Sequence, residues 1–136
     1  MKIPFVLGGA VLLACAAKAP QPTAEQLALG ERAYQQCYSC HALEPGKNDL
    51  QGPTLHGIVG RPVAAEPGFD YSPALRRFAT NEPRWTRELI ERFAADPERL
   101  VPGTSMSFHG LDSDDERKAL VEYLEHQTSA RAASLP

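Results

Sequence analysis

The chain has few cysteines, few methionines and little lysine, and each shortage narrows what it can be. Cysteine occurs three times, at Cys15, Cys37 and Cys40. Nothing follows Cys40, so the second ligand pair that a structural zinc site needs is missing. His56, His109 and His126 do not make up a paired-ligand motif either. No strand pattern surrounds Cys37 and Cys40, which argues against a thioredoxin-like thiol pair at a strand-to-helix junction. Four lysines stand against ten arginines, no basic run occurs, and the net charge is −3, so nothing points to a nucleic-acid partner. The apolar run Ile3 to Ala14 is shorter than the roughly 20 residues of an ordinary membrane span.

That run sits at the N-terminus behind one positive charge, Lys2, and fits the h-region of an export signal. Leu12-Leu13-Ala14-Cys15 looks like a bacterial lipobox, in which the signal is cut before a cysteine that is then acylated. Ordinary cleavage after Ala17-Lys18-Ala19 would put Pro20 directly behind the cut, a poor site. Lipidation of Cys15 is therefore expected, with an uncleaved N-terminal anchor as the alternative. The expected organisation is a signal over residues 1–14, a lipidated cysteine and linker over 15–22, a folded domain over 23–127 and a flexible tail over 128–136.

Within the folded part, Thr23-Ala24-Glu25-Gln26 resembles a capping box. The helix it opens carries Leu27, Gly30 and Tyr34 on one face and runs into Cys37. From Leu43 to Phe69 the chain is rich in glycine and proline and shows little periodicity, so long loops are expected and no sheet. Ser72-Pro73 reads as an N-cap and first helical position, opening a short helix through Phe78. Trp85-Thr86 precedes a helix with Leu89, Ile90, Phe93 and Ala94 inward, stopped by Asp96-Pro97. A turn is expected at Pro102-Gly103, and Ser113 to Glu116 opens a last helix with Leu120, Tyr123 and Leu124 on one stripe. This is an all-α outline with more loop than helix packing alone can organise. A large apolar cofactor at the centre would supply the missing core.

The chemistry concentrates in Cys37-Tyr38-Ser39-Cys40-His41. C-x-x-C-H is the signal for c-type haem attachment. Both thiols add to the haem vinyl groups as thioethers, and the next residue supplies an imidazole to the iron. A sixth ligand should follow downstream. Met106 is the one methionine besides Met1, and it sits in a polar loop after a Pro-Gly turn, poorly placed as core filler. A thioether is a soft ligand that favours ferrous iron. His109 is the rival.

In the order and spacing of its motifs the chain resembles class I cytochrome c, close to the mitochondrial type, over about residues 24 to 127. The motifs are Gly30-Glu-Arg-Ala-Tyr34, Cys37-Tyr-Ser-Cys-His41, Gly52-Pro-Thr-Leu-His-Gly57 with Gly60-Arg61, and Pro67-Gly-Phe69-Asp-Tyr71. Trp85, Pro102-Gly-Thr-Ser-Met106 and the stretch from Glu116-Arg117 to Tyr123-Leu124 complete them. The resemblance implies three main helices plus short helices and long loops around one covalent haem c. It implies that the Pro53 carbonyl accepts the Nδ1 proton of His41, an outer bond that orients a ligating histidine. It further implies that Tyr71 and Trp85 hydrogen-bond a haem propionate, that Arg61 offsets propionate charge, and that Thr104 and Phe108 shield the Met106 side. Gly30 and Tyr34 would pack against Leu120, Tyr123 and Leu124.

Departures from the mitochondrial type carry expectations too. Phe93 replaces a tyrosine near the Met106 sulfur, and Leu75 replaces a polar residue of the same network, so that interior should be more apolar. Where the mitochondrial type rings the haem edge with lysines, this chain has Gln36, Glu98, Ser105, Asp112, Ser113 and Asp114, with Arg99 the one retained cation. The expected partners are redox proteins whose docking faces are not strongly acidic. The implied function is electron transfer by a single-haem carrier, not an enzyme, with no small-molecule substrate, exported and anchored on the periplasmic side of a membrane. The alternative is a dedicated electron-transfer subunit of a periplasmic dehydrogenase or reductase.

Overall fold

A computed structural model describes residues 20–134. The expected signal and Cys15 lie outside the described residues, as do the first residues of the linker. Among the described residues five helices run in order: α1 (Ala24–Tyr34), α2 (Pro73–Phe78), α3 (Arg87–Ala95), α4 (Pro97–Leu100) and α5 (Asp114–Ala133). Strand pairing among the described residues is limited to one isolated bridge, Pro62 with Arg84. The architecture is all-α, with α1, α3 and α5 as the main helices and loops filling the long interval from α1 to α2.

Local chemistry sets the helix starts. Thr23 and Gln26 form the reciprocal capping box of α1. The hydroxyls of Ser72, Thr86 and Ser113 each accept the amide three residues on, at α2, α3 and α5. The acids at the start of α5, Asp114 to Glu116, stand where the helix dipole favours negative charge. Asp96 ends α3 with extended backbone and then caps α4, accepting from Arg99 N at 3.0 Å, with Pro97 as the first helical residue. The sequence pattern stops at Asp96-Pro97 and gives no sign of α4, because a one-turn helix carries no periodicity.

α1 and α5 cross at Gly30. A Cβ there would lie 2.6 Å from the Tyr123 Cβ and nearer still to the Ala119 carbonyl oxygen. The Tyr34 and Tyr123 rings meet beside the crossing at 5.8 Å. Ala33, Leu89, Leu111, Leu120, Val121 and Leu124 fill the core, with Val121 fully buried.

One expectation fails at the C-terminus. The pattern places a flexible tail over 128–136, yet α5 continues as helix to Ala133. The added turns are held by tertiary contacts. Thr128 Oγ1 accepts from Gly57 N at 2.9 Å, and Arg131 pairs with Glu44 at 3.6 Å.

Candidate haem site

The site begins where α1 runs out. After Tyr34 the chain coils tightly, with Cys37 N bonded to Tyr34 O and both Cys40 N and His41 N bonded to Cys37 O. These turns bring Cys37, Cys40 and His41 together. Both thiols are free and half-buried. Burial pushes the Cys37 thiol up to about 11, and the neighbouring Cys40 adds to the effect. Cys40 Sγ lies 3.7 Å from Gln51 Oε1, a neighbour that no sequence motif flags.

His41 is buried, and its Nδ1 is 2.8 Å from the Pro53 carbonyl oxygen. A carbonyl can only accept, so the proton sits on Nδ1 and the Nε2 lone pair is left free. Burial lowers the basicity of His41; the Pro53 bond opposes this, and the Arg61 charge adds to it. The outcome is a neutral imidazole, the form that binds metals. Gly52 makes room for the ring, since a Cβ there would stand 2.6 Å from Nδ1 and closer to Cε1. Tyr34 holds the other side, its hydroxyl donating to His41 O at 2.7 Å.

A loop wall continues from His41. Thr54, almost wholly buried, donates to Glu44 O at 2.7 Å and accepts from His56 N at 3.1 Å. Asn48 Oδ1 accepts from Thr54 N at 2.9 Å, while its Nδ2 donates to Pro67 O at 2.9 Å. Arg61 and Trp85 are joined through backbone, Trp85 N donating to Arg61 O at 2.9 Å. Arg61 Nη1 donates to His56 O at 3.0 Å and pairs with Glu66 at 3.1 Å. Its Nε is buried without a partner, as is His56 Nδ1. Tyr71 is buried, and its hydroxyl accepts from Glu66 N at 3.3 Å. The buried Trp85 ring lies against Phe93 at 5.2 Å, and Leu75 is buried in the same core. The structure thus brings Arg61, Tyr71 and Trp85 into the same loop layer. Glu66 and Asn48, which organise that layer, were not legible as site residues. Each carries only a faint signal, an Asn in a polar turn and an acid before Pro67-Gly68.

On the downstream segment, Met106 is half-buried, and its amide donates to Thr104 Oγ1 at 3.3 Å. Phe108 packs on the core, whereas His109 is exposed. Gln36, Glu98, Arg99, Ser105, Asp112, Ser113 and Asp114 are all exposed. Three of these also serve the fold: Ser113 caps α5, Asp114 pairs with Arg117, and Glu98 accepts from Gly103 N at 3.0 Å. Among the described residues Tyr38, between the two cysteines, is the exposed large hydrophobic side chain.

The donor set suits a haem. Two free thiols precede a neutral imidazole with a free nitrogen, and a buried guanidinium N–H and a tyrosine hydroxyl remain to donate to an anion. Fold and site define a small all-α redox protein organised around a covalent haem. Comparison carries this further. The cytochrome c family model matches residues 27–128. Cytochrome c type-1 of Ascaris suum is 41% identical over 99 residues, 72% of this chain and 85% of that protein. Cytochrome c2 of Agrobacterium tumefaciens (strain II Chrys) is 32% identical over 107 residues, 79% of this chain and 96% of that one. The solved structure of cytochrome cH from Methylobacterium extorquens superposes with a TM-score of 0.65 at 32% identity, covering 74% of this chain and 97% of that one.

The chain belongs to the cytochrome c family. It is an electron-carrying c-type cytochrome with one covalently attached haem c, a carrier of electrons to redox protein partners rather than an enzyme.

Proposed function

We propose that Cys37 and Cys40 would hold the haem as thioethers and that His41 Nε2 and the Met106 sulfur would ligate its iron. The carrying observation is the bond from His41 Nδ1 to Pro53 O, which leaves Nε2 free and fixes the ring plane. When bound, the haem supplies a one-electron couple at its iron. The residues around it set the conditions. Tyr34 and Gly52 lock His41 in place, so little rearrangement accompanies a change of oxidation state. Phe93, Trp85 and Leu75 keep the interior apolar, and the Met106 thioether favours the reduced form. With His41 and Met106 both ligating the iron, no open iron position would be left for a small-molecule substrate. Arg61, Tyr71 and Trp85 would hold the propionates.

The protein is exported and works on the periplasmic side, tethered through lipid on Cys15. The apolar run before Cys15 supports this reading, and among the described residues no helix is long and apolar enough to cross a membrane. Its partners present faces that are not strongly acidic, because Arg99 stands nearly alone among acids and neutral residues.

Replacing Met106 with Ala abolishes the far-red sulfur-to-iron(III) charge-transfer band and lowers the reduction potential. A surviving band overturns the ligand assignment. Replacing Cys15 with Ser moves the protein from the membrane fraction to the soluble periplasm. Retention on membranes would mean either that the apolar segment before Cys15 is kept as an anchor or that the anchor lies elsewhere.

A further inference from the structure

Arg61 and Glu66 form the most buried ion pair among the described residues, each side chain only 12% exposed. Buried charge is costly unless matched, and here every oxygen of Glu66 is engaged. Oε2 faces Arg61 Nη1 at 3.1 Å, and Oε1 accepts from Asn48 Nδ2 at 3.2 Å. Asn48 is itself pinned by Thr54 N and Pro67 O. The carboxylate is therefore fixed in place. Arg61 and Tyr71, by contrast, are incompletely used. Arg61 Nε has no partner, and the Tyr71 hydroxyl accepts from Glu66 N, which leaves its own proton to donate.

This wall presents two spare donors beside a cation whose charge is already cancelled. An anion placed there gains hydrogen bonds and no net positive field. We propose that Glu66 sets the reduction potential: it neutralises Arg61 at the propionate edge of the haem and holds the potential down. The inference rests on the reading above that Arg61 and Tyr71 face a propionate. Its sign follows from electrostatics. Reduction adds an electron near the wall, so a fixed negative charge disfavours the reduced form. Because the pair is buried, salt screens it weakly. Glu66 acts here through charge and position rather than by touching the iron.

A merely structural role, in which Glu66 clips the 44–54 segment to the 61–71 loop, makes a different forecast. Glu66→Gln keeps the size and the acceptor for Asn48 but removes the charge. Midpoint potentials of the holoprotein, titrated at pH 7 in low and high salt, distinguish the two. Glu66→Gln shifts the equilibrium toward the reduced form by roughly threefold to tenfold, tenfold being about 59 mV for a one-electron couple. The shift persists in high salt. Glu66→Asp, which keeps the charge, stays near wild type. Arg61→Gln shifts the equilibrium the opposite way, and Arg61→Gln combined with Glu66→Gln returns it close to wild type.

The double variant leaves neither charge unpaired, so it is the variant whose folding is least at risk. A double variant far from wild type overturns the charge-balance proposal. So does an unchanged or lowered potential in Glu66→Gln. If Arg61→Gln leaves the potential untouched while Glu66→Gln raises it, the fault lies with the placing of Arg61 at a propionate, not with Glu66.

Discussion

Along the α1–α5 crossing, backbone polar groups are satisfied within the helices and side chains have only to fit. Around His41, backbone groups from Ala42 to Pro67 have no helix to satisfy them, and side chains share that work with backbone bonds between turns and loops. Asn48, Thr54, Tyr34 and Arg61 bond to carbonyls and amides of neighbouring loops. The difference shows that one region is held by shape and the other by buried polar atoms. Damage should therefore look different in each. A steric fault at the crossing should unfold the whole protein. A fault in the wall should misplace His41 while the helices stay.

Two glycines test this directly. Gly30→Ala should have the largest effect on stability. Helix propensity alone would favour Ala by ~1 kcal/mol. The added Cβ meets backbone, the Ala119 carbonyl oxygen, which cannot swing aside as a side chain could. Overpacking costs ~1–3 kcal/mol and sometimes more, so a net loss at the upper end of that range is expected in denaturant unfolding, with the ligand spectrum of the folded fraction unchanged. Gly52→Ala should cost less, toward the lower end of the same range, because the obstacle is the His41 ring, which can tilt. The tilt breaks the Pro53 bond and alters the visible spectrum of the folded protein. If Gly52→Ala leaves the spectrum intact, or Gly30→Ala is the variant that changes it, the division between the two regions is wrong.

The same division explains what could be read from the sequence. Helix starts were legible because a cap is local: Thr23 with Gln26, Ser72 with Leu75 and Thr86 with Leu89 each span three residues. His41 with Pro53 was legible through family resemblance, twelve residues apart. The last turns of α5 were not, because Thr128 depends on Gly57, 71 residues earlier. Nothing in Ser129-Ala130-Arg131-Ala132-Ala133 announces a partner at that distance. Glu66 was missed for a related reason. Its partners Arg61 and Asn48 both precede it in sequence, in loops without periodicity, and only the fold brings the three together. The exposed residues before α5 were legible as residues but less so in role, since Ser113 and Asp114 also serve the start of α5.

Tyr34 belongs to both regions, and it gives the smallest and most discriminating test. Its ring lies in the α1–α5 contact beside Tyr123, while its hydroxyl donates to His41 O. Tyr34→Phe keeps the ring and removes one hydrogen bond, so ~1 kcal/mol should be lost at neutral pH. The loss should depend on pH. Burial raises the Tyr34 phenol from 10.0 to about 12. The unfolded chain therefore ionises this group first, and the folded state binds the extra proton in between. Tyr34's contribution is complete below pH 10.0 and is lost as pH rises through about 12. Unfolding free energies of wild type and Tyr34→Phe, compared at neutral pH and at a pH between those two values, should converge. Other groups titrating in that range affect both proteins alike and cancel in the difference. A gap that stays constant would mean that the phenol is not held buried where the helix pair meets the loop wall.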